Sequence, residues 1–291
     1  MPYLLAVSLL WAFSFGLTKG LTAGLDGTFV AAARLAFALA VFLPFFRWRG
    51  LGPRLAGGLA ALGAVQFGLM YLAYNESFRH LQAYEVALLT LTTPILVTLL
   101  ADALDRRFRP RALAAALLAV AGTAVVVFSG SSPLAPTAAG VLLVQASNLA
   151  FAAGQVSYRR IRLRHPALRD HEIFALPYAG AFALAAAAAL VRTDLGALAL
   201  SSQQWLTLAY LGLVASGLGF FLWNLGATRA AAGTLAVMNN AKVPLGVACS
   251  LLFFGESAAP VRLTASLALL AVAVWLAEAG NPPPESRAAA R

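Results

Sequence analysis

Long apolar runs alternate with short polar joints along the whole chain. The runs fall at about 2–18, 28–46, 56–74, 84–101, 112–128, 138–157, 172–191, 204–225, 231–254 and 261–279, each broken by a charge or a Gly/Pro cluster. A helix needs about 20 apolar residues to cross a bilayer, so each run predicts one crossing and the chain predicts ten. Asn281-Pro282-Pro283-Pro284 cannot continue a helix, because proline lacks the N–H and clashes with the preceding turn. The tail 281–291 is therefore expected to be disordered. The expected fold class is an all-α membrane protein.

Composition strengthens this picture. Of 291 residues, 61% are hydrophobic and only 11% charged, with a mean hydropathy of +0.80. A water-facing surface needs about a quarter charged residues, so a soluble enzyme is excluded. Ten helices use about 200 residues, which leaves joints too short for an extramembrane domain. No basic stretch precedes the run Pro2 to Thr18, so it reads as a retained helix rather than a cleaved signal peptide.

The formal charge of +10 matters for topology. Even-numbered connections and the tail hold Arg47, Arg49, Arg54, Arg106, Arg107, Arg109, Arg111, Arg159, Arg160, Arg162, Arg164, Arg169, Arg229, Arg287 and Arg291, while odd-numbered connections hold only Lys19, Arg79, Arg192 and Arg262. The positive-inside rule then puts both termini in the cytoplasm, as an even number of crossings requires. The excess of Arg over Lys and the many alanines fit a GC-rich bacterial genome, and so a bacterial inner (plasma) membrane. The Arg-rich stretch 159–169 is expected to meet anionic lipid heads, and no nucleic-acid partner is expected.

Catalytic and metal chemistry find no support. Cys249 is the lone cysteine, which excludes an intrachain disulfide and a Cys-based metal cluster. His80, His165 and His171 lack metal-ligand spacing, and no P-loop, nucleotide fingerprint or Ser/His/Asp set is present. No cofactor and no metal are expected, and the protein is not expected to be an enzyme.

The chain also repeats itself. Pro94 and Pro244 are 150 residues apart, and the acids Asp105 and Glu256 that follow them are 151 apart. Trp11 to Lys19 has the same spacing as Phe151 to Arg159 at an offset of 140. These offsets divide the chain into a first five-helix repeat, 1–130, and a second, 137–280. Five is odd, so the second copy enters the bilayer inverted. Inverted repeats place a substrate site near the midplane at their interface and allow alternating access by rocking.

Trp11-Ala-Phe-Ser-Phe15-Gly-Leu-Thr-Lys19, Arg34 early in span two, Pro94-Ile95 in span four, and Pro244 followed by Gly255-Glu256 in span nine resemble the EamA-type members of the drug/metabolite transporter superfamily over about 3–279. Leu104-Asp105 stands where the first repeat of that family usually has Gly-Glu. The resemblance implies ten helices in two inverted halves and export of small metabolites across the inner membrane. The YddG-like amino-acid exporters are one branch of that family, whose members differ widely in substrate; amino acids are the expected substrate here.

Polar groups inside the apolar runs mark the candidate site. A charge at mid-bilayer costs at least about 2.5–3.5 kcal/mol, so it faces a cavity or a partner. Lys242 lies near the centre of span nine with Asn239 on the same face, and the pair is expected to hold the anionic end of a substrate unless Lys242 is a structural group bonded to helix carbonyls or to Glu85. Pro94 and Pro244 are candidate hinges. Arg34, two turns from the outer end of its span, is expected to form a gating or structural ion pair, with Glu85 as the available acid. Gln145, Asn148, Phe151 and Gln155 share one stripe of span six, which either lines the cavity or bonds neighbouring helices. The repeat offset makes Trp11 and Phe15 the counterparts of Phe151 and Gln155. Phe67, Tyr71 and Trp223 are deep enough for a cavity wall, whereas Tyr74 and Phe78 fit an interfacial belt. Gly212-x-x-x-Ser216 and Ala215-x-x-x-Gly219 read as close-packing pairs.

The expected function is thus a carrier of small amphiphilic metabolites whose partners are its substrate and membrane lipids, with no oligomer required. An organic-anion or phosphorylated-metabolite carrier is the alternative within transport. A membrane-embedded enzyme or a non-transporting scaffold is the alternative outside it.

Overall fold

The computed structural model describes residues 1–21, 24–81, 83–127, 137–253 and 260–279. The expected disorder of 281–291, the side chains of Phe15, Lys19 and Cys249, and the Gly255-Glu256 motif lie outside what is described.

Each apolar run becomes helix, and its ends follow from local chemistry. Spans one and two are Pro2–Leu21 and Gly27–Phe42, the second capped by the Asp26 side chain, which accepts from the N–H groups of Thr28 and Phe29. Span three is Pro53–Ser77, started by Pro53 in the first turn. Span four is two helices, Ala83–Thr90 and Thr93–Asp105, and span five is Pro110–Val127. Arg106, left-handed at φ 50, closes span four and lets the Arg107 N–H reach the Asp102 carbonyl at 3.0 Å. Span six is Ala138–Arg164, capped by Thr137, and span seven is Ala175–Arg192. Span eight, Ser202–Arg229, begins with a capping box of Ser201 and Gln204. Spans nine and ten are Ala232–Phe253 and Pro260–Ala279.

The protein is an all-α membrane protein of ten helices in two inverted five-helix repeats; the described residues contain no strand. Among the described residues, seven helices are long and apolar enough to cross a membrane, and the shorter apolar helices Pro2–Ala12 and Pro110–Val125 accompany them. The packing follows the duplication. Span one lies on spans eight and nine, and span six, its counterpart, lies on spans three and four. Span two packs on spans seven and eight, and span seven packs on spans two and three. Adding five to one set of neighbours gives the other, as a two-fold axis in the membrane plane requires.

Spans three and eight share a second feature. Each widens into a π-helical segment, Ala64–Leu69 in one and Leu211–Leu218 in the other. Glycines let these widened helices approach their neighbours closely. A Cβ on Gly63 would lie 1.9 Å from the Pro177 carbonyl oxygen of span seven, and one on Gly212 would lie 2.5 Å from the Phe37 Cβ of span two. The glycines of the small-residue pairs in span eight, Gly212 and Gly219, are therefore close-packing positions.

Both ends of the bundle are tied across the halves. At the end carrying the termini, Asp105 accepts from Arg109 at 2.5 Å and from Arg160, and Arg229 reaches the Tyr3 hydroxyl at 3.1 Å. At the far end, Arg192 bonds Glu76 at 3.1 Å, and Thr193 bonds Asp26 at 2.6 Å. Asp105, the family departure noted above, is thus a bridging acid.

A groove of about 490 Å³ opens on the outer surface, lined by Phe29, Phe37, Phe182, Leu190 and Trp205 among other apolar groups. Such a wall suits acyl chains but offers no group to orient a polar solute.

Candidate substrate-binding site

The site is built where the widened turns of spans three and eight face spans one, six and nine. A π-turn disturbs the regular backbone ladder and leaves carbonyls open to other donors. In span eight the Ala215 carbonyl accepts the Trp11 indole N–H at 2.8 Å, and the Tyr178 hydroxyl donates to the Ser216 and Gly217 carbonyls at 2.8 and 2.7 Å. Gly219 makes room for the indole, since a Cβ there would lie 2.9 Å from Trp11 Nε1.

Around Trp11 the rings close into one cluster. Its centroid lies 5.4 Å from Phe220, 5.1 Å from Trp223 and 6.2 Å from Phe151. Phe220 stacks on Phe67 at 4.7 Å and meets Tyr71 at 5.8 Å. Spans one, three, six and eight each supply a wall. Spacings of 5–6 Å put the rings in direct contact, so this conformation is closed at its centre.

Lys242 projects into this cluster from span nine. Its Nζ lies 5.5 Å from the Trp11 ring centroid, a cation–π geometry. No salt bridge joins it to a carboxylate among the described residues. Span nine runs unbroken through Pro244, which lies inside the helix Ala232–Phe253.

A chain of amides ties spans six, eight and nine together next to the ring of Trp223. The Trp223 indole donates to Gln155 Oε1 at 2.9 Å, and the Gln155 and Asn239 amides exchange hydrogen bonds of 3.3 Å in each direction. Asn239 is also anchored to the Leu235 carbonyl at 2.8 Å. Gln155 is fully buried and Asn239 nearly so. Two bonds of 3.3 Å are long for amides, and a ligand with its own donor and acceptor can replace them.

Arg34 departs from the expected ion pair. Its Nε donates to Ser216 Oγ at 3.1 Å, its Cζ lies 4.6 Å over the Tyr71 ring, and Ser216 Oγ and the Tyr71 hydroxyl are 2.9 Å apart. No salt bridge to Glu85 forms among the described residues, because the side chain runs inward between spans three and eight.

The span-six stripe divides. Phe151 and Gln155 reach the cluster. Gln145 and Asn148 bond the break in span four instead: Asn148 donates to the Leu89 carbonyl at 3.0 Å, and the Thr92 hydroxyl donates to Gln145 at 2.9 Å. From span nine, Asn240 donates to the Leu91 carbonyl at 3.0 Å and to the Thr123 hydroxyl at 3.2 Å. Pro94 sits at the start of the second half-helix and explains the need: it cannot supply the N–H that would satisfy the Thr90 carbonyl, which takes the Thr93 hydroxyl at 2.7 Å.

Trp11, Phe67, Tyr71, Phe151, Gln155, Trp223, Asn239 and Lys242 thus meet in one place as expected. Two central residues, Phe220 and Ser216, stood outside the expected site. Phe220 lies three residues before Trp223 and so on its face, a signal that was available. Ser216 read as a packing residue, and only the π-turn aims it at Tyr71 and Arg34.

The chain is similar to known proteins in sequence and in fold. The EamA-like transporter family matches residues 1–128. A Pseudomonas aeruginosa protein named "Probable biotin transporter" is 43% identical over 283 residues, 97% of this chain and 98% of that one. The chain belongs to the EamA-like transporter family. This EamA-type protein is also 37% identical over 279 residues to the "Biotin transporter" of Escherichia coli K12, covering 95% of this chain and 92% of the relative. A crystal structure at 22% identity superposes with a TM-score of 0.80 over 94% of the chain and 96% of its own, which shows the shared fold. The EamA-type chain is a multi-pass membrane transporter of a small molecule.

Proposed function

We propose that this EamA-type transporter carries biotin or a close analogue across the bacterial inner membrane by alternating access, with both termini cytoplasmic. The carrying observation is the Lys242 ammonium, held against Trp11 inside an aromatic cluster with no described carboxylate to neutralise it. A half-buried cation at that depth calls for an anionic ligand with an apolar body. Biotin has this chemistry: a carboxylate on a flexible tail, an apolar sulfur ring and a cyclic urea. Lys242 neutralises the carboxylate, the rings of Trp11, Phe67, Phe151, Phe220 and Trp223 enclose the body, and the Gln155–Asn239 amides exchange their mutual bonds for those of the urea. The names of the relatives at 43% and 37% identity favour biotin over the amino acids expected from the sequence. Release of one set of end contacts at a time, Glu76–Arg192 or Asp105–Arg160, opens the core to one side.

The test is flux of radiolabelled biotin into liposomes containing the purified protein. Saturable uptake, competed by unlabelled biotin and not by equal concentrations of neutral amino acids, is expected. Flux no greater than in protein-free liposomes overturns the assignment.

A further inference from the structure

Arg34 presents the guanidinium fork that the substrate reading leaves unused. Its five N–H donors include one on Nε, which Ser216 takes at 3.1 Å. The four Nη–H donors have no partner among the described residues. The half-buried guanidinium packs on protein: Tyr71 lies beneath it at 4.6 Å, and both Tyr71 and Ser216 are buried. Ser216 and Tyr71, bonded to each other at 2.9 Å, hold the plane of the guanidinium while leaving its fork open.

Position adds a second observation. Arg34 is seven residues into span two, about 10 Å from the far end of the bundle, whereas Lys242 is ten residues into span nine and near mid-span. The two cations are joined by a continuous wall of rings. Tyr71 meets Phe220 at 5.8 Å, Phe220 meets Trp11 at 5.4 Å, and Trp11 carries Lys242 at 5.5 Å. Among the described residues neither cation has an acid partner. Two such unpaired charges within the spans are costly unless an anion visits both.

We propose that Arg34 is a second carboxylate-binding station, on the far-end side of Lys242, and that a monocarboxylate moves between the two along the Tyr71–Phe220–Trp11 wall. This rests on the proposed transport of a biotin-like carboxylate and assigns a separate binding role to Arg34. The planar fork takes a carboxylate through two parallel bonds, a geometry that an ammonium cannot offer. Lys242, a point charge, then serves as the deeper station from which the anion can leave.

The experiment measures uptake of labelled biotin by the full chain in liposomes, with unlabelled biotin and its neutral carboxamide as competitors, for wild type, Arg34→Gln, Arg34→Lys and Ser216→Ala. Wild type is expected to prefer biotin strongly over the carboxamide. Arg34→Gln is expected to raise KM at least tenfold and abolish most of that preference. Arg34→Lys keeps the charge but loses the fork, so an intermediate KM is expected; Ser216→Ala frees the fork and is expected to raise KM by about threefold. If Arg34→Gln does not fold, as judged by gel filtration, the Lys and Ala variants carry the same test. Wild-type KM and competitor preference in the folded variants overturn the second station while leaving biotin transport intact. A fall in maximal rate at unchanged KM does the same and makes Arg34 structural. No biotin uptake by wild type overturns the substrate reading and this proposal with it.

Discussion

Replacing Lys242 by Met separates a substrate-binding ammonium from a structural one by sign as well as size. Met keeps the unbranched stem and the contact with Trp11 while removing the charge. In the empty protein the ammonium has the Trp11 face as its described contact, worth about 2 kcal/mol when desolvated. Against that stands an insertion cost of at least about 2.5–3.5 kcal/mol for a charge at this depth. The two nearly cancel, so Lys242→Met is expected to leave the empty protein as stable as wild type or slightly more so. The bound state behaves in the opposite way. Removing one member of a buried charge pair costs about 2–5 kcal/mol, and the lower part of that range, about 2–3 kcal/mol, is roughly a 30- to 150-fold loss of affinity. The assay pairs thermal unfolding in detergent with equilibrium binding of labelled biotin, using the neutral carboxamide as control. Biotin affinity should fall by that factor, carboxamide affinity should stay constant, and the melting temperature should not drop. A variant that melts earlier but binds biotin as tightly as wild type would refute the argument, because the ammonium would then be bonding the protein's own carbonyls.

Other expectations follow from the packing and the ends of the bundle. Gly63→Ala drives a methyl into the Pro177 carbonyl, 1.9 Å away, and since backbone cannot yield as a side chain does, a loss of at least about 1–3 kcal/mol in detergent stability is expected; a wild-type melting curve would contradict the close approach of spans three and seven. Asn240→Leu removes two interhelical hydrogen bonds to span four and to Thr123, each worth about 0.6 kcal/mol, so a loss near 1 kcal/mol is expected, read by the same melt. Glu76→Gln and Asp105→Asn weaken opposite ends, and labelling of introduced cysteines should rise at the far end in the first and at the terminal end in the second; the same pattern in both would deny that these contacts gate the core. Asp26 gives a pH dependence. Burial alone raises its pKa, but hydrogen bonds from Thr193, Thr28 and the backbone N–H groups of Phe29 and Thr28 outweigh this and hold it below the usual 3.8. A depressed carboxyl stabilises the fold above its unfolded pKa and loses that contribution as pH falls through the folded value. Hydrogen exchange at residues 26–29 should therefore accelerate below about pH 4 in wild type and be fast at every pH in Asp26→Ala; pH-independent protection in wild type would remove Asp26 as the staple.

The sequence alone determined the number, order and boundaries of the helices to within a few residues, because the bilayer demands one long apolar run per crossing and proline, glycine and capping residues mark the ends. It also exposed the duplication and the inner polar residues, since a Lys or Gln in a spanning run is expensive wherever the chain folds. Periodicity placed Phe67, Tyr71, Phe151, Gln155, Trp223 and Lys242 on inward faces, and they meet. Partnership was a different matter. Gln145 and Gln155 read alike in one stripe, yet one bonds the break before Pro94 and the other bonds Asn239, because those targets belong to spans four and nine. Pro94 and Pro244 occupy equivalent repeat positions, but one adjoins a broken helix and the other lies inside a continuous one. Arg34 looked like half of an ion pair until the widened turn of span eight brought Ser216 beneath it. A hydropathy pattern fixes depth and face to within part of a turn, whereas the partner of a polar group depends on helix rotation and backbone irregularities set by packing between distant segments, and those only the tertiary structure decided.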